Sequence, residues 1–313
     1  MSSTEEVTLE KQQEKKRSGG IVLLVLAAGI WGTVGVSSAL LNRIENTPAL
    51  TIGFLRLAFS SPFLLGLAWL TTKRNPFKAR LRDLPLFAAL GIAMASYQLF
   101  YFIAIPLSSV TLVVVVALCS APVMVALLSI PIFKEKLTGL VILSLGLALI
   151  GTGLLTLGGS DNKGDFLKPE YLLGALLALG AGLSYSSITI LSKLATRYTK
   201  SGSSQTMALS FTFAAILLLG GALFTGNLKL NLAPGVWLIA AYLGLIPTGV
   251  AYIIFFQALR RATATAASIV TLLEPGVAAF LAWLLLGESI GILTLVGAIM
   301  LVVSVWILSI KKS

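Results

Sequence analysis

Two charged side chains stand deep inside apolar runs, Arg56 in TIGFLRLAFSS and Glu274 in TLLEPGVAAF. The 313 residues around them are 57% hydrophobic and only 11% charged, with a mean hydropathy of +0.96, whereas soluble domains carry about 25% charged residues. The runs therefore read as bilayer spans, where a charge is costly enough to need a partner or a task. At about 1.5 Å per residue, Arg56 lies roughly 12 Å in from Pro48 and Glu274 roughly 16 Å in from Thr263. Both sit near the middle of a hydrocarbon slab about 30 Å thick. Two roles stay open for them. They bind one another and hold two helices in register, or they face a cavity and bind a charged group of a solute.

Missing residue types remove other chemistry. With no His and the single Cys119 in an apolar run, the chain offers no imidazole or thiolate metal site, no Ser-His-Asp arrangement and no internal disulfide. The sequence holds no GxxxxGK[ST], so ATP hydrolysis within the chain is excluded. Neither metal nor cofactor is expected. An integral membrane enzyme would need clustered nucleophiles or carboxylates, and Glu274 is the one deep carboxyl, which also makes it the group available for proton coupling.

Aromatic and polar residues recur at helical spacing near these charges: Trp31, Gly35, Ser38 and Asn42, then Met94, Tyr97, Gln98 and Tyr101, then Tyr185, Thr189 and Ser192. Trp31, Tyr97 and Tyr185 lie deeper than interfacial anchors such as Trp237 and Trp306. They are expected to wall a cavity suited to an apolar or amphipathic solute, and able to hold a cationic one. Pro122 and Pro275 leave the carbonyls of Leu118 and Thr271 without helical partners. This makes either a packing kink or a hinge with a solute-facing carbonyl. The expected solute-binding set is Trp31, Ser38, Arg56, Tyr97, Gln98, Tyr101, Pro122, Tyr185, Thr189, Glu274 and Pro275. Glu135 and Glu288, near helix ends, read as caps for loop amides or neighbouring helices. Lys193, at the end of its span, reads as a snorkelling side chain.

The elements that position these residues are apolar runs bounded by charge, Pro or Asn. Ten occur, at about 20–42, 48–71, 84–105, 108–133 and 138–157, then 171–195, 203–226, 234–257, 263–286 and 290–310. Residues 1–19 read as a disordered cytoplasmic tail and 158–170 as an external linker. Threading the chain back and forth puts 18 of the 23 Lys and Arg on one side and four on the other, with Arg56 inside a span. The positive-inside rule then makes both termini cytoplasmic. The net charge of +11 becomes a topology signal with lipid headgroups as its partners, and no nucleic-acid partner is expected.

At a shift of 153 residues, Pro122 falls on Pro275 and Glu135 on Glu288, so LCSAPVMVALLSIPIFKEKL overlies LLEPGVAAFLAWLLLGESI. AAGIWG at 27–32 falls on GAGLSY at 180–185, while YFIAI and FFQAL match at 154, so one half has a one-residue gap. The expected architecture is an all-α integral membrane protein of ten transmembrane helices, built as two five-helix repeats over 20–157 and 171–310. Five is odd, so the second repeat enters the membrane inverted. Inverted repeats are characteristic of secondary transporters with a midplane site.

Trp31-Gly32 in the first span, Arg56-Leu57 in the second, and the Pro-to-Glu blocks ending in IFKEKL and LLLGES resemble the EamA family of the drug/metabolite transporter superfamily. The resemblance covers roughly residues 20 to 310. It implies a bacterial inner-membrane (plasma membrane) transporter for amino acids or other small metabolites, often exporting, with no ATPase domain. The leading expectation is a secondary carrier or uniporter that alternates access by rocking its two halves, present as monomer or homodimer. Efflux of cationic or apolar toxic compounds is the alternative. One departure is that Ser120-Ala121-Pro122 stands opposite Leu273-Glu274-Pro275, so the carboxylate is not duplicated.

Overall fold

The structure, a computed structural model, describes residues 3–72, 79–108, 110–157, 169–287 and 291–310. Ten helices follow one another: α1 (Ser3–Ile44), α2 (Ala49–Thr72), α3 (Leu84–Leu107), α4 (Val110–Phe133), α5 (Gly139–Leu157), α6 (Pro169–Tyr198), α7 (Ser203–Phe224), α8 (Pro234–Leu259), α9 (Ala264–Leu286) and α10 (Ile292–Ile310). No strand occurs among the described residues. Nine have the length and composition to cross a membrane. The other, α5, has 19 residues and rises about 28 Å, close to the thickness of the hydrocarbon. Large apolar side chains such as Leu26, Leu70, Leu127, Leu176 and Leu238 are exposed around the outside, where lipid replaces water as their solvent.

The helix ends follow local rules. Proline opens α6 and α8 and stands in the first turn of α3, where its missing N–H costs nothing. Gly226, at φ +67°, closes α7, with the Asn227 amide donating to Ala222 at 2.9 Å and that of Gly226 to Leu223 at 3.2 Å. The amino-terminal segment differs from the disordered tail expected over 1–19, because α1 already begins at Ser3. Its Glu, Lys, Gln and Leu are good helix formers, and the adjoining span supplies the costly nucleus.

The packing repeats with the sequence. α6 packs on α3 and α4 just as α1 packs on α8 and α9; α3 meets α7 as α8 meets α2; and α2 pairs with α7, α5 with α10. Exchanging each helix of the first five with its counterpart leaves this pattern unchanged, and the odd number of spans makes the relation an inverted one. Close approaches confirm it atom by atom. A Cβ on Gly91 would lie 2.6 Å from the Ser210 carbonyl, and one on Gly244 would lie 2.8 Å from the Arg56 carbonyl. Gly91 and Gly244 are 153 residues apart. Across the middle, Gly151 and Gly297 abut one another's carbonyls in α5 and α10. Small residues at such crossings let backbones touch, which is how helices gain contact in lipid. Two bundles result, α3–α4–α6 and α1–α8–α9, each holding helices from both halves.

The one-residue gap has a physical form. Residues Gly244–Val250 of α8 make a π-turn, the usual way a helix absorbs one extra residue, between the match at 153 and the match at 154. The two prolines part company. α4 runs unbroken through Pro122, whereas α9 is divided into Ala264–Val270 and Leu273–Leu286. The Thr271 carbonyl, expected to be left free by Pro275, instead accepts the Glu274 amide at 3.0 Å. The chain tightens by one residue ahead of the proline, and the orphan is satisfied within the turn.

Candidate functional site

The π-turn positions the second span. Pro247 cannot donate to the Leu243 carbonyl, and the Thr248 hydroxyl takes that place at 2.7 Å. The Ala251 amide reaches five residues back to Ile246, and the Pro247 carbonyl accepts the Trp31 indole N–H at 2.8 Å. Thr248 also accepts from Arg56 Nε at 3.2 Å. This is the one hydrogen bond the guanidinium makes among the described residues, so most of its five donors are left for a ligand.

Aromatic rings fill the space between the bundles. Tyr97 and Tyr101 of α3 lie 5.8 Å apart, and Tyr97 is 5.6 Å from Tyr185 of α6. From the other bundle, Trp31 meets Tyr252 edge-on at 5.0 Å and Phe255 at 5.3 Å, within the range where ring quadrupoles attract. The Tyr252 hydroxyl points to Met94 Sδ at 3.9 Å, and that of Tyr185 lies beside Thr271. Glu274 stands within electrostatic reach of Arg56, Tyr97, Tyr101 and Tyr185. Arg56, Glu274 and the three tyrosines of α3 and α6 are half-buried rather than sealed.

Arg56 and Glu274 do not pair directly. The ion pairs among the described residues are Arg82–Asp83 and Lys229–Glu45. Opposite charges thus face a common interior with an aromatic wall between the helices that carry them. Such a set can accept an ammonium at the carboxylate, a carboxylate at the guanidinium, and an apolar body against the rings.

Other expected site residues are placed differently. Gln98 packs its amide against Gly53 of α2, where a Cβ would come within 3.0 Å of Oε1. Thr189 is buried and donates to Tyr185 of its own helix at 3.4 Å. Ser38 is half-buried and joins no described residue by a hydrogen bond, and Pro122 is buried inside α4. Pro275 directly follows Glu274 and ends the tight turn that presents it. Thr248, Tyr252 and Phe255 add to the expected set. The run GLIPTGV, a proline between glycines inside a span, is a sequence signal for Thr248; Tyr252 and Phe255 follow it by one and two helical turns.

At the end carrying Lys134, Lys136, Arg197, Lys200, Arg260 and Arg261, two side chains bond to the junction of α8 and α9. Lys193 does not snorkel. It is buried, and its Nζ donates to the carbonyls of Leu259 and Ala262, because the open end of α8 lies nearer than the interface. Glu135 caps a neighbour, as its place near a helix end suggested. It accepts from the Ala264 amide at 2.8 Å, the Thr265 amide at 3.2 Å and the Thr265 hydroxyl at 2.8 Å. Glu288 lies outside the described residues.

Comparison with known proteins agrees with this architecture. An uncharacterized transporter of Bacillus subtilis, YwfM, is 28% identical over 288 residues, covering 92% of this chain and 93% of its own. An uncharacterized transporter of Archaeoglobus fulgidus is 29% identical over 291 residues, covering 92% and 95%. A solved structure titled only "Crystal structure of protein" superposes with a TM-score of 0.78 at 18% identity, over 93% of this chain and 97% of that one, and so shares the fold. The EamA-like transporter family matches residues 18–157 and again 172–310. Two copies of one family unit, arranged as the packing arranges the two halves, cover nearly the whole sequence, and the chain belongs to the EamA-like transporter family.

Proposed function

We propose that this chain is a secondary carrier or uniporter of the plasma membrane that exports a small amphipathic metabolite, an amino acid or close analogue, by rocking its two bundles about a midplane site. One observation carries the reading: Arg56 and Glu274, of opposite charge and half-buried at mid-membrane, share an interior with Tyr97, Tyr101 and Tyr185 without closing into an ion pair. A zwitterion bridges them, its carboxylate on Arg56, its ammonium by Glu274, and its side chain on the rings. The chain holds no nucleotide motif, which fits transport down a solute or ion gradient, and Glu274 is the group that would carry a coupling proton.

The second reading, efflux of an amphipathic cation, is favoured by Arg56 already being held by Thr248, which leaves Glu274 as the main charge facing the rings. Proteoliposomes incubated with labelled amino acids and with lipophilic cations separate the two. For a zwitterion, Arg56→Gln and Glu274→Gln each abolish uptake. For a cation, only Glu274→Gln does. Uptake of neither class by the unaltered protein refutes both.

A further inference from the structure

We propose that Glu135 and Lys193 form a clasp that seals the solute path at the basic end of the molecule, and that its release is an obligatory step of the carrier cycle. The inference rests on the carrier reading but not on any solute. Both side chains belong to the α3–α4–α6 bundle, Glu135 just past α4 and Lys193 on α6. Both grip one short stretch of the other bundle, residues 259–265, where α8 ends and α9 begins. The signs are matched: the cation meets the carbonyl end of α8 and the carboxylate meets the amide end of α9.

Three further features fit a closure. Lys134 adopts φ 56°, a left-handed conformation that is rare without glycine, and the turn it makes aims Glu135 back at α9. Such outliers persist where surrounding contacts hold them. Beneath the clasp Val125, Phe133 and Ile190 of one bundle close on Ala264 of the other as a buried apolar plug, with the Arg197 guanidinium 4.8 Å over the Phe133 ring. Beyond the aromatic site toward the opposite end, Thr33 with Tyr242 and Glu45 with Ala233 both join α1 to α8. Those bonds stay within one bundle. The clasp and the plug beneath it join the two bundles at the basic end.

The test uses the full chain in nanodiscs, with Cys119→Ala and a single cysteine at Ile190, inside the plug. A hydrophilic maleimide labels it slowly while the clasp is shut. Glu135→Gln with Lys193→Met, which leaves neither charge unpaired, is expected to raise the labelling rate at least tenfold. Lys193→Arg should keep it slow. A control cysteine at Ala148, buried in α5, should not change. An unchanged rate at position 190 overturns the proposal. So does a parallel rise at 148, or loss of the folded peak on size exclusion by the double variant, either of which makes the contacts purely structural. Labelling needs no solute, so failure of the zwitterion reading leaves this result standing.

Discussion

Replacing Trp31 by Phe removes one donor and little else. The indole N–H reaches the Pro247 carbonyl at 2.8 Å, while the ring is held by Tyr252 and Phe255, and a phenyl group keeps most of that contact. In water such a bond contributes about 1 kcal/mol net. Interhelical bonds in bilayers average about 0.6 kcal/mol and reach about 1.7. The upper part of that range applies here, because the π-turn has already committed the Ala251 amide to Ile246 and offers Pro247 no substitute donor. Trp31→Phe should therefore cost about 1 to 2 kcal/mol. Trp31→Ala, which also opens a cavity beside two rings, should cost about 3 to 5 kcal/mol. Reversible unfolding of the purified protein in mixed micelles measures both. A Phe variant indistinguishable from the parent, or as damaged as the Ala variant, would refute the claim that the bulge spends its freed carbonyl on Trp31.

Gly91→Ala and Gly244→Ala should each destabilise by about 1 to 3 kcal/mol through overpacking against a carbonyl, whereas Gly146→Ala, with nothing within 4 Å of its Cβ, should be neutral or slightly stabilising. The same unfolding assay reads all three. Glu45 is held below its ordinary value of 4.5 by the Lys229 side chain and then the Ala233 amide. Its contribution is thus complete above pH 4.5 and fades as the pH falls through the lowered value. Thermal melts between pH 6 and 3 should show a drop that Lys229→Met reduces. A fluorescent reporter that matures only in the cytoplasm, fused after Ser313, should be bright, and a dark fusion with normal expression would overturn the orientation expected from the charge count.

The repeat was legible because Pro and Glu are scarce in spans and stand out when two pairs of them recur at one shift. Gly91 and Gly244 carry the same shift, yet glycine is too common in this chain, at 29 residues, to be singled out before its neighbours are known. The π-turn was visible only as a gap between shifts of 153 and 154, since a sequence match counts an extra residue without saying which carbonyl it frees. Lys193 was read from its distance to a helix end. Its partners, Leu259 and Ala262, lie 66 and 69 residues away, and no local pattern announces them. Arg56 and Glu274 were legible as deep charges, but whether they touch depends on the crossing of α2 and α9, which periodicity does not specify.

The two halves share a frame but not a chemistry. Where Arg56 presents its carbonyl to Gly244, Ser210 presents its own to Gly91, so the counterpart of the arginine is a serine. The counterpart of Glu274 at the 153 shift is Ala121. In the proposed carrier cycle a symmetric frame of this kind offers two related arrangements, one open at each face, because the helix crossings that close one end have counterparts at the other. A symmetric site would hold a solute equally well in two opposed orientations. In the proposed carrier, placing the cation on α2 and the carboxylate on α9, with no copies, would fix one orientation without disturbing the packing that makes the states comparable. Accordingly Arg56→Glu with Glu274→Arg, which exchanges the two charges at half-buried positions, should leave the fold's helix crossings in place but turn the solute pose around. The expected result in proteoliposomes is a preference shifted from a solute toward its mirror image. Unchanged discrimination by a folded variant would show that the orientation is set by the rings and not by the charges.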